Sequence, residues 1–268
     1  MKVVLWIGND ANQKALANKI AAVLPIDGIV IETKISKQRS SVSNLLGKII
    51  ARLFLPSIAK SWWKLQEHYI KEYPNYPATK LLNIENINAQ NVYDFTKEIN
   101  PDLILVSGTR LIKENLLSLQ PTIGIINLHT GLSPYIKGGP NCTNWCIATK
   151  EFHLIGNTVM WLDLGIDTGN IITTEYTEFV GNENLTMIHF KVMEHAHNLY
   201  LKALQSIKKG MYSNVKQNDI SPGKTYYTKQ WNLSEKIRLV KNVKKFQKAV
   251  KTGETKKLRT FIKTISID

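Results

Sequence analysis

The opening rhythm of the chain limits most what it can become. Val3-Val4-Leu5-Trp6-Ile7 is a short, unbroken apolar run of β-branched and bulky residues, the pattern of a strand buried on both faces. Gly8-Asn9-Asp10 turns the chain, Ala11 to Val23 places Ala, Leu and Ile at helical spacing, and Ile26 to Ile31 reads as a second strand. Strand, helix, strand opens a parallel α/β sheet. The alternation returns at Asn91: a helix over 92–99 closed by Pro101, a buried strand from Asp102 to Val106, a helical stretch over 111–119 and a strand from Gly124 to His129. Two more strands follow at 154–162 and 171–176, then a long helix over 187–209 stopped by Gly210, a preferred residue just past a helix end.

The expected fold is therefore α/β: a Rossmann-like, mostly parallel sheet flanked by helices, with a small basic C-terminal appendage. Residues 1–210 form the expected catalytic domain and 211–268 the appendage. The chain has 268 residues, enough to bury a sizeable core. Gly8 stands without the other glycines of G-x-G-x-x-G, which argues against a nicotinamide or flavin site.

The stretch from about Lys34 to Lys80 breaks the rhythm. It is basic and aromatic, with Phe54, Trp62, Trp63, Tyr69, Tyr73 and Tyr76. Leu45, Ile49, Phe54 and Ile58 are spaced as on amphipathic helices, with Pro56 as an interruption. It reads as an insertion, and a helical elaboration packed on the sheet is favoured over a lid, a homodimer surface or a membrane-surface patch.

Composition narrows the setting. The apolar start is too short for a signal-peptide core, and no stretch reaches the roughly 18 apolar residues of a membrane span, so a cytoplasmic protein is expected. Cys142 and Cys146 are the two cysteines, too few for a disulfide framework or a structural zinc site, and no metal is expected. The formal net charge is +14, and between Lys229 and Lys263 twelve Lys and Arg face only Glu235 and Glu254. Such a surface attracts phosphates; a plain solvated face carries equal weight.

In open parallel sheets, ligands bind outside the carboxyl ends of the strands. Asn127 and His129 lie at such an end, two residues apart, so their side chains share a face. The segment Gly156 to Gly169 supplies Asp163 and Asp167 as candidate carboxylates. An amide N–H and a histidine N–H can stabilise a developing oxyanion, and a carboxylate with a histidine can take a proton from an attacking amine. That set suits acyl transfer to an amine without a metal or a covalent nucleophile. Neither a G-x-S-x-G elbow nor H-E-x-x-H is present.

Three separate segments agree in order and spacing with one family. Asn127-Leu128-His129, then Leu132-Ser133-Pro134-Tyr135-Ile136-Lys137-Gly138, then Gly156 to Gly169 resemble the signature of the folate-dependent formyltransferases. The resemblance implies Asn127, His129 and Asp167 as catalytic residues and N10-formyltetrahydrofolate as formyl donor. Asp102 to Ile112 resembles the strand and turn that grip the pterin ring, so Gly108, Thr109, Arg110, Leu111 and Ile112, with Asp163, Gly165 and Ile166, are the implied cofactor contacts. Pro134, Tyr135, Lys137, Gly138, Gly139 and Asn141 are the expected substrate contacts, since Gly138-Gly139 lets backbone approach a ligand closely.

The sequence departs from the family where the acceptor would sit. Gly131-Leu132-Ser133-Pro134 replaces the usual Ser-Leu-Leu-Pro, Lys137 stands where arginine is common, and Met160 stands where glycinamide ribonucleotide enzymes carry a second histidine. The favoured acceptor is the amine of a small substrate, a nucleotide-linked amino sugar for surface polysaccharide. Methionyl-tRNA formyltransferase and a glycinamide-ribonucleotide-type enzyme are the alternatives. The tail has two phenylalanines, Phe246 and Phe261, between Lys236 and Lys263. It therefore lacks the interleaved aromatics of a base-stacking surface, and no specific nucleic-acid partner is expected.

Overall fold

The computed structural model describes residues 1–33 and 55–267. Seven strands form one sheet: β1 (Val3–Gly8), β2 (Gly28–Glu32), β3 (Lys80–Ile84), β4 (Leu103–Ser107), β5 (Gly124–His129), β7 (Gly156–Trp161) and β8 (Ile171–Tyr176), in the order β3-β2-β1-β4-β5-β7-β8. The first five are parallel; β7 pairs antiparallel with both β5 and β8. A second pair, β6 (Ile136–Gly138) and β9 (Lys224–Tyr226), lies apart from this sheet. The mostly parallel α/β sheet expected from the apolar runs is the architecture found.

Helices cover both faces, as a parallel sheet requires. On one side α1 (Ala11–Ala21) and α6 (Leu185–Lys208) bury Leu16, Ile20, Leu199, Tyr200 and Leu204 against Val3, Leu5, Ile29, Leu105 and Ile126. On the other, α3 (Gln90–Ile99) and the short α4 (Glu114–Leu117) cover Val4, Trp6, Val30 and Ile104. Alternate residues of β1 serve the two cores, the period-two consequence of a pleated strand. Tyr200 ties two strands beneath the site, donating to Ile126 O at 3.0 Å and accepting from Val106 N at 3.1 Å.

The helical stretch expected over 111–119 shrinks to Glu114–Leu117. Asn88 explains the loss: its side-chain amide donates to Leu111 O at 2.9 Å and its oxygen accepts from Lys113 N at 2.7 Å. These bonds hold 111–113 as a loop. Pro56 does not interrupt a helix but starts one, α2 (Pro56–Glu72), at a position where its missing N–H costs nothing. Leu45, Ile49 and Phe54 lie outside the described residues. No described helix is long and apolar enough to cross a membrane.

The basic C-terminal region is woven into the molecule. Its helix α7 (Leu233–Lys251) buries Leu239 and Phe246 fully, in a core shared with α5 (Cys142–Thr149). Asn242 donates to Ile147 O and Ala148 O, satisfying carbonyls at the end of α5. The last described residues run along β8, where Thr174 N donates to Ile265 O and Ile265 N to Thr174 Oγ1, both at 2.8 Å. Lys241, Lys244, Lys245 and Lys248 of α7 are exposed, whereas Arg259 is largely buried and donates to His153 O and Thr177 O.

Phe246 is fully buried and meets Phe152 and Phe179 edge-on. Phe246→Ala should lower the unfolding free energy by about 3–5 kcal/mol, the usual cost of emptying a buried phenylalanine site. Urea denaturation checks this; a loss below about 1 kcal/mol, within the range of an ordinary surface change, would mean that α7 contributes little to the fold.

Candidate active site

The strand order reverses between β1 and β4, and their two exit turns form one wall of a cavity of about 550 Å³. Crevices at such reversals are where open α/β sheets bind ligands. The turns touch: a Cβ on Gly8 would stand 2.6 Å from Gly108 O. Gly108 itself has φ +69°, and a Cβ there would meet Gln13 Nε2 at 2.6 Å, so only glycine fits.

Asn127, His129 and Asp167 meet in this cavity. Asn127 and His129 come from the end of β5, and Asp167 comes from the loop between β7 and β8. His129 Nδ1 lies 3.3 Å from Asp167 Oδ2, and Asn127 Nδ2 donates to Asp167 Oδ1 at 3.5 Å. Gly138 N donates to Asp167 Oδ2 at 2.9 Å. The other imidazole nitrogen, Nε2, faces Ile136 O at 3.3 Å. Each ring nitrogen thus meets an acceptor, which orients the ring and gives a proton on it a route to the carboxylate.

The aspartate is aimed by its loop. Asp167 has φ +52°, a left-handed conformation that aspartate tolerates better than most residues. Asp163 Oδ1 accepts from Gly165 N and Thr168 Oγ1 inside the same loop. Gln217, buried in the C-terminal region, donates to Asp167 O at 2.8 Å and Gly169 O at 2.7 Å.

Gly108, Thr109, Arg110, Leu111 and Ile112 line the cavity, as do Gly165, Ile166, Gly138, Gly139 and Asn141. Asp163, Pro134, Tyr135 and Lys137 stand outside its wall. Asp163 is occupied as the loop brace. Tyr135 hydroxyl accepts from Lys263 N at 2.9 Å, and Lys137 is buried in β6 against Thr225. Pro134 packs against Gly223, where a Cβ would strike its carbonyl oxygen. These three residues anchor the C-terminal region.

Cys142 lies beside His129 Nε2 at 3.5 Å and donates to Gly138 O. Burial, then neighbouring Cys146 and Asp167, pushes its thiol well above the ordinary range. It remains a protonated packing and hydrogen-bonding group, without the thiolate a nucleophile needs.

Sequence patterns gave no sign of Gln217. Glu32 left a faint one, an acid at the end of an apolar strand. Its fully buried carboxylate accepts from Ile87 N at 2.8 Å and Arg110 N at 2.7 Å, and Arg110 Nη1 lies 3.3 Å away. Buried charges persist when hydrogen-bonded and paired; here the pairing fixes the 108–112 turn to the turn after β3. A role on a nucleotide ribose, common for an acid at this position, is closed to a carboxylate so occupied.

The sequence profile described as formyl transferase matches residues 64–204, more than half of the chain, and the chain belongs to that family. Among relatives, the methionyl-tRNA formyltransferase of Clostridium botulinum (strain Alaska E43 / Type E3) is 33% identical over 157 residues, 58% of this chain and 47% of that protein. That of Clostridium tetani (strain Massachusetts / E88) is 29% identical over 158 residues, covering 58% and 50%. The chain spans about half the length of the curated relatives it matches. A sugar N-formyltransferase from Shewanella sp. superposes with a TM-score of 0.58 at 14% identity, covering 89% of this chain and 87% of that one. The N-formyltransferase from Helicobacter canadensis, solved with folinic acid and dTDP-3-aminofucose, gives 0.54 at 18%, covering 90% and 81%. At these identities the structures show a shared fold.

Asn127→Ala, His129→Ala and Asp167→Ala should each lower turnover at least about a hundredfold, as for loss of an oxyanion donor or acid–base group, with thermal melting nearly unchanged. Near-normal turnover by the His129→Ala protein would show that the chemistry lies elsewhere. Glu32→Gln exchanges an acceptor for a donor facing Arg110 N–H. Amide hydrogen exchange at Ile87 and Arg110 should speed up by tenfold or more, the effect of losing about 1.4 kcal/mol of local protection; unchanged exchange would remove Glu32 from this role.

Proposed function

We propose that this chain transfers a formyl group from N10-formyltetrahydrofolate to the amine of a small acceptor, with a nucleotide-linked amino sugar as the favoured class. The observation that carries this reading is the convergence of Asn127, His129 and Asp167 in one cavity with the Gly108–Ile112 turn. The cavity, about 550 Å³, is of the size that holds a cofactor-like ligand. Its wall fits a flat heterocycle bearing N–H groups: Gln13 lines it and its buried Oε1 has no partner among the described residues, and the 108–112 turn is part of the same wall.

Gly108 to Ile112, with Gly165 and Ile166, would hold the folate. When bound, it supplies an acyl carbon activated toward attack by an amine. The residues of this chain do the rest. Asn127 Nδ2 offers an N–H group to the negative charge that develops on the formyl oxygen, and the His129 ring beside it adds positive charge when it carries the amine's proton. Asp167 accepts the proton that the attacking amine must lose, directly or through His129 Nδ1. Gly138 N keeps the carboxylate in place while its proton count changes. These groups stand ready before any substrate arrives, so little reorganisation is required during reaction.

The amino-sugar assignment draws support from the extent of structural likeness: the Shewanella and Helicobacter enzymes match about nine-tenths of this chain, more than residues 1–210 alone account for. The second reading, formylation of methionyl-tRNA, is favoured by the names of the curated relatives, whose similarity covers 58% of the chain. Between Met211 and Ile267 the described residues contain one three-residue strand, and α7 folds back on α5.

Incubating the protein with N10-formyltetrahydrofolate and either a panel of nucleotide amino sugars or initiator methionyl-tRNA separates the readings. Formylation of a nucleotide amino sugar by the intact protein, with none of the tRNA, is expected. Turnover with the tRNA alone would establish the second reading, and folate binding without transfer to any amine would overturn both.

A further inference from the structure

The cavity has a second stretch of wall, separate in sequence from the folate turn. Trp62 of α2, Met193 of α6, Thr130 and Asn141 line both the main cavity and a water-sized hollow beside it. Trp62 is the insertion's one described contribution to the main cavity. Its neighbour Trp63 is 65% exposed at the surface.

The helix that carries Trp62 is held on several sides. Gln66 Oε1 accepts from Ala11 N at 2.6 Å, and Gln66 Nε2 donates to Asn12 Oδ1 at 3.0 Å. Tyr69 hydroxyl donates to Glu194 at 2.7 Å. Ser61 Oγ lies 3.3 Å from His189 Nδ1, whose Nε2 meets Asn144 Oδ1 at 2.8 Å. Burial lowers the His189 pKa to about 4, so that ring is neutral near pH 7 and bridges α2 to α5 without charge. An indole carried on so fixed a helix loses little freedom when a ligand packs on it.

The chemistry of this wall selects its occupant. An indole face with hydroxyl and amide groups nearby suits a ring that is apolar on one face and hydroxylated at its edge. It does not suit phosphate. Among the described lining residues Arg110 is the single Lys or Arg, and it is paired with Glu32. The first amide of α1, the usual phosphate cradle after β1, is already taken by Gln66, with the Asp10 carboxylate lining the cavity beside it.

We infer that Trp62 is the residue that positions the acceptor: its indole packs on the apolar face of the amino-sugar ring, and Thr130 and Asn141 meet the ring's hydroxyls. The assignment rests on the formyl-transfer reading of the cavity and deepens it. Packing of the sugar on Trp62 confines the amine to the part of the cavity that Asn127, His129 and Asp167 share. The nucleotide's phosphates then lie away from the β1–α1 turn.

Steady-state kinetics of Trp62→Ala, Trp62→Leu and Trp62→Phe test this, with the amino sugar found active in the screen. Ala and Leu should raise the acceptor KM about tenfold or more, the effect of losing roughly 1.4 kcal/mol of aromatic packing. The folate KM should stay within about twofold, far less than one tenfold step of affinity, and Phe should restore most of the loss. Leu keeps apolar bulk in the helix, so it separates stacking from folding should Ala fail to fold. An equal rise in folate KM, or a Leu protein with normal acceptor KM, would overturn the assignment. A binding measurement stands apart from the reaction. Titration with dTDP-3-aminofucose should quench the tryptophan fluorescence of the wild-type protein and leave that of Trp62→Phe unchanged. Equal quenching in the two, or none in either, would overturn Trp62 as the sugar platform. Quenching with no formyl transfer to any amine would retire the proposed reaction and leave the platform standing.

Discussion

Everything in the site turns on how one carboxylate is held. Asp167 Oδ2 takes a hydrogen bond from Gly138 N at 2.9 Å and faces His129 Nδ1 at 3.3 Å, and Oδ1 faces Asn127 Nδ2 at 3.5 Å. A carboxylate with donors on both oxygens is fixed in rotation as well as position. The three side chains arrive from two segments with no sequence adjacency, and the mixed end of the sheet brings them together. Antiparallel pairing of β7 with β5 sets Thr158 opposite His129 and Met160 opposite Asn127. β7 thus ends beside Ile125, where Leu162 N donates to Ile125 O, and the loop that follows reaches back along β5 to set Asp167 against Asn127 and His129.

Two peripheral parts converge on this centre. The C-terminal region contributes Gln217, which grips the main chain on both sides of the loop tip through Asp167 O and Gly169 O. It also contributes β9, which pairs with β6 and so fixes Gly138, whose amide holds the carboxylate. The inserted helix α2 contributes Trp62 to the wall and closes the α1 N-terminus with Gln66. Most of the lysine charge of the C-terminal sequence faces solvent, while its apolar residues complete the core around α5. Removing that region would therefore act on the site through packing and loop support as well as through charge.

The parallel sheet was legible because its strands are buried on both faces and so read as continuous apolar runs, as at Val3–Ile7 and Leu103–Val106. Asn127 and His129 could be paired from a spacing of two in a strand. Their meeting with Asp167 needed the resemblance, since sequence separation says nothing of a return loop. Other features left weak signals or none. The 111–113 loop looked helical because periodicity does not register Asn88, a tertiary partner that overrides local preference. Pro134, Tyr135 and Lys137 sit in a motif that looks like a substrate loop, but this stretch meets the C-terminal region through the Pro134 carbonyl, the Tyr135 hydroxyl and the β6–β9 pairing. Glu32 and Gln217 act through a few long-range hydrogen bonds, which leave no periodic trace.

The central claim is that the strand-end cavity presents a folate-borne formyl group to Asn127, His129 and Asp167. A crystal structure of the protein with folinic acid, a stable formylated folate, tests it most directly. The account predicts the pterin against the Gly108–Ile112 turn and the carrier's one-carbon end directed toward Asn127 Nδ2 and His129, within reach of the roughly 3–3.5 Å approach that reaction requires. A pterin seated elsewhere, or a one-carbon end pointing away from Asn127 and His129, would contradict it.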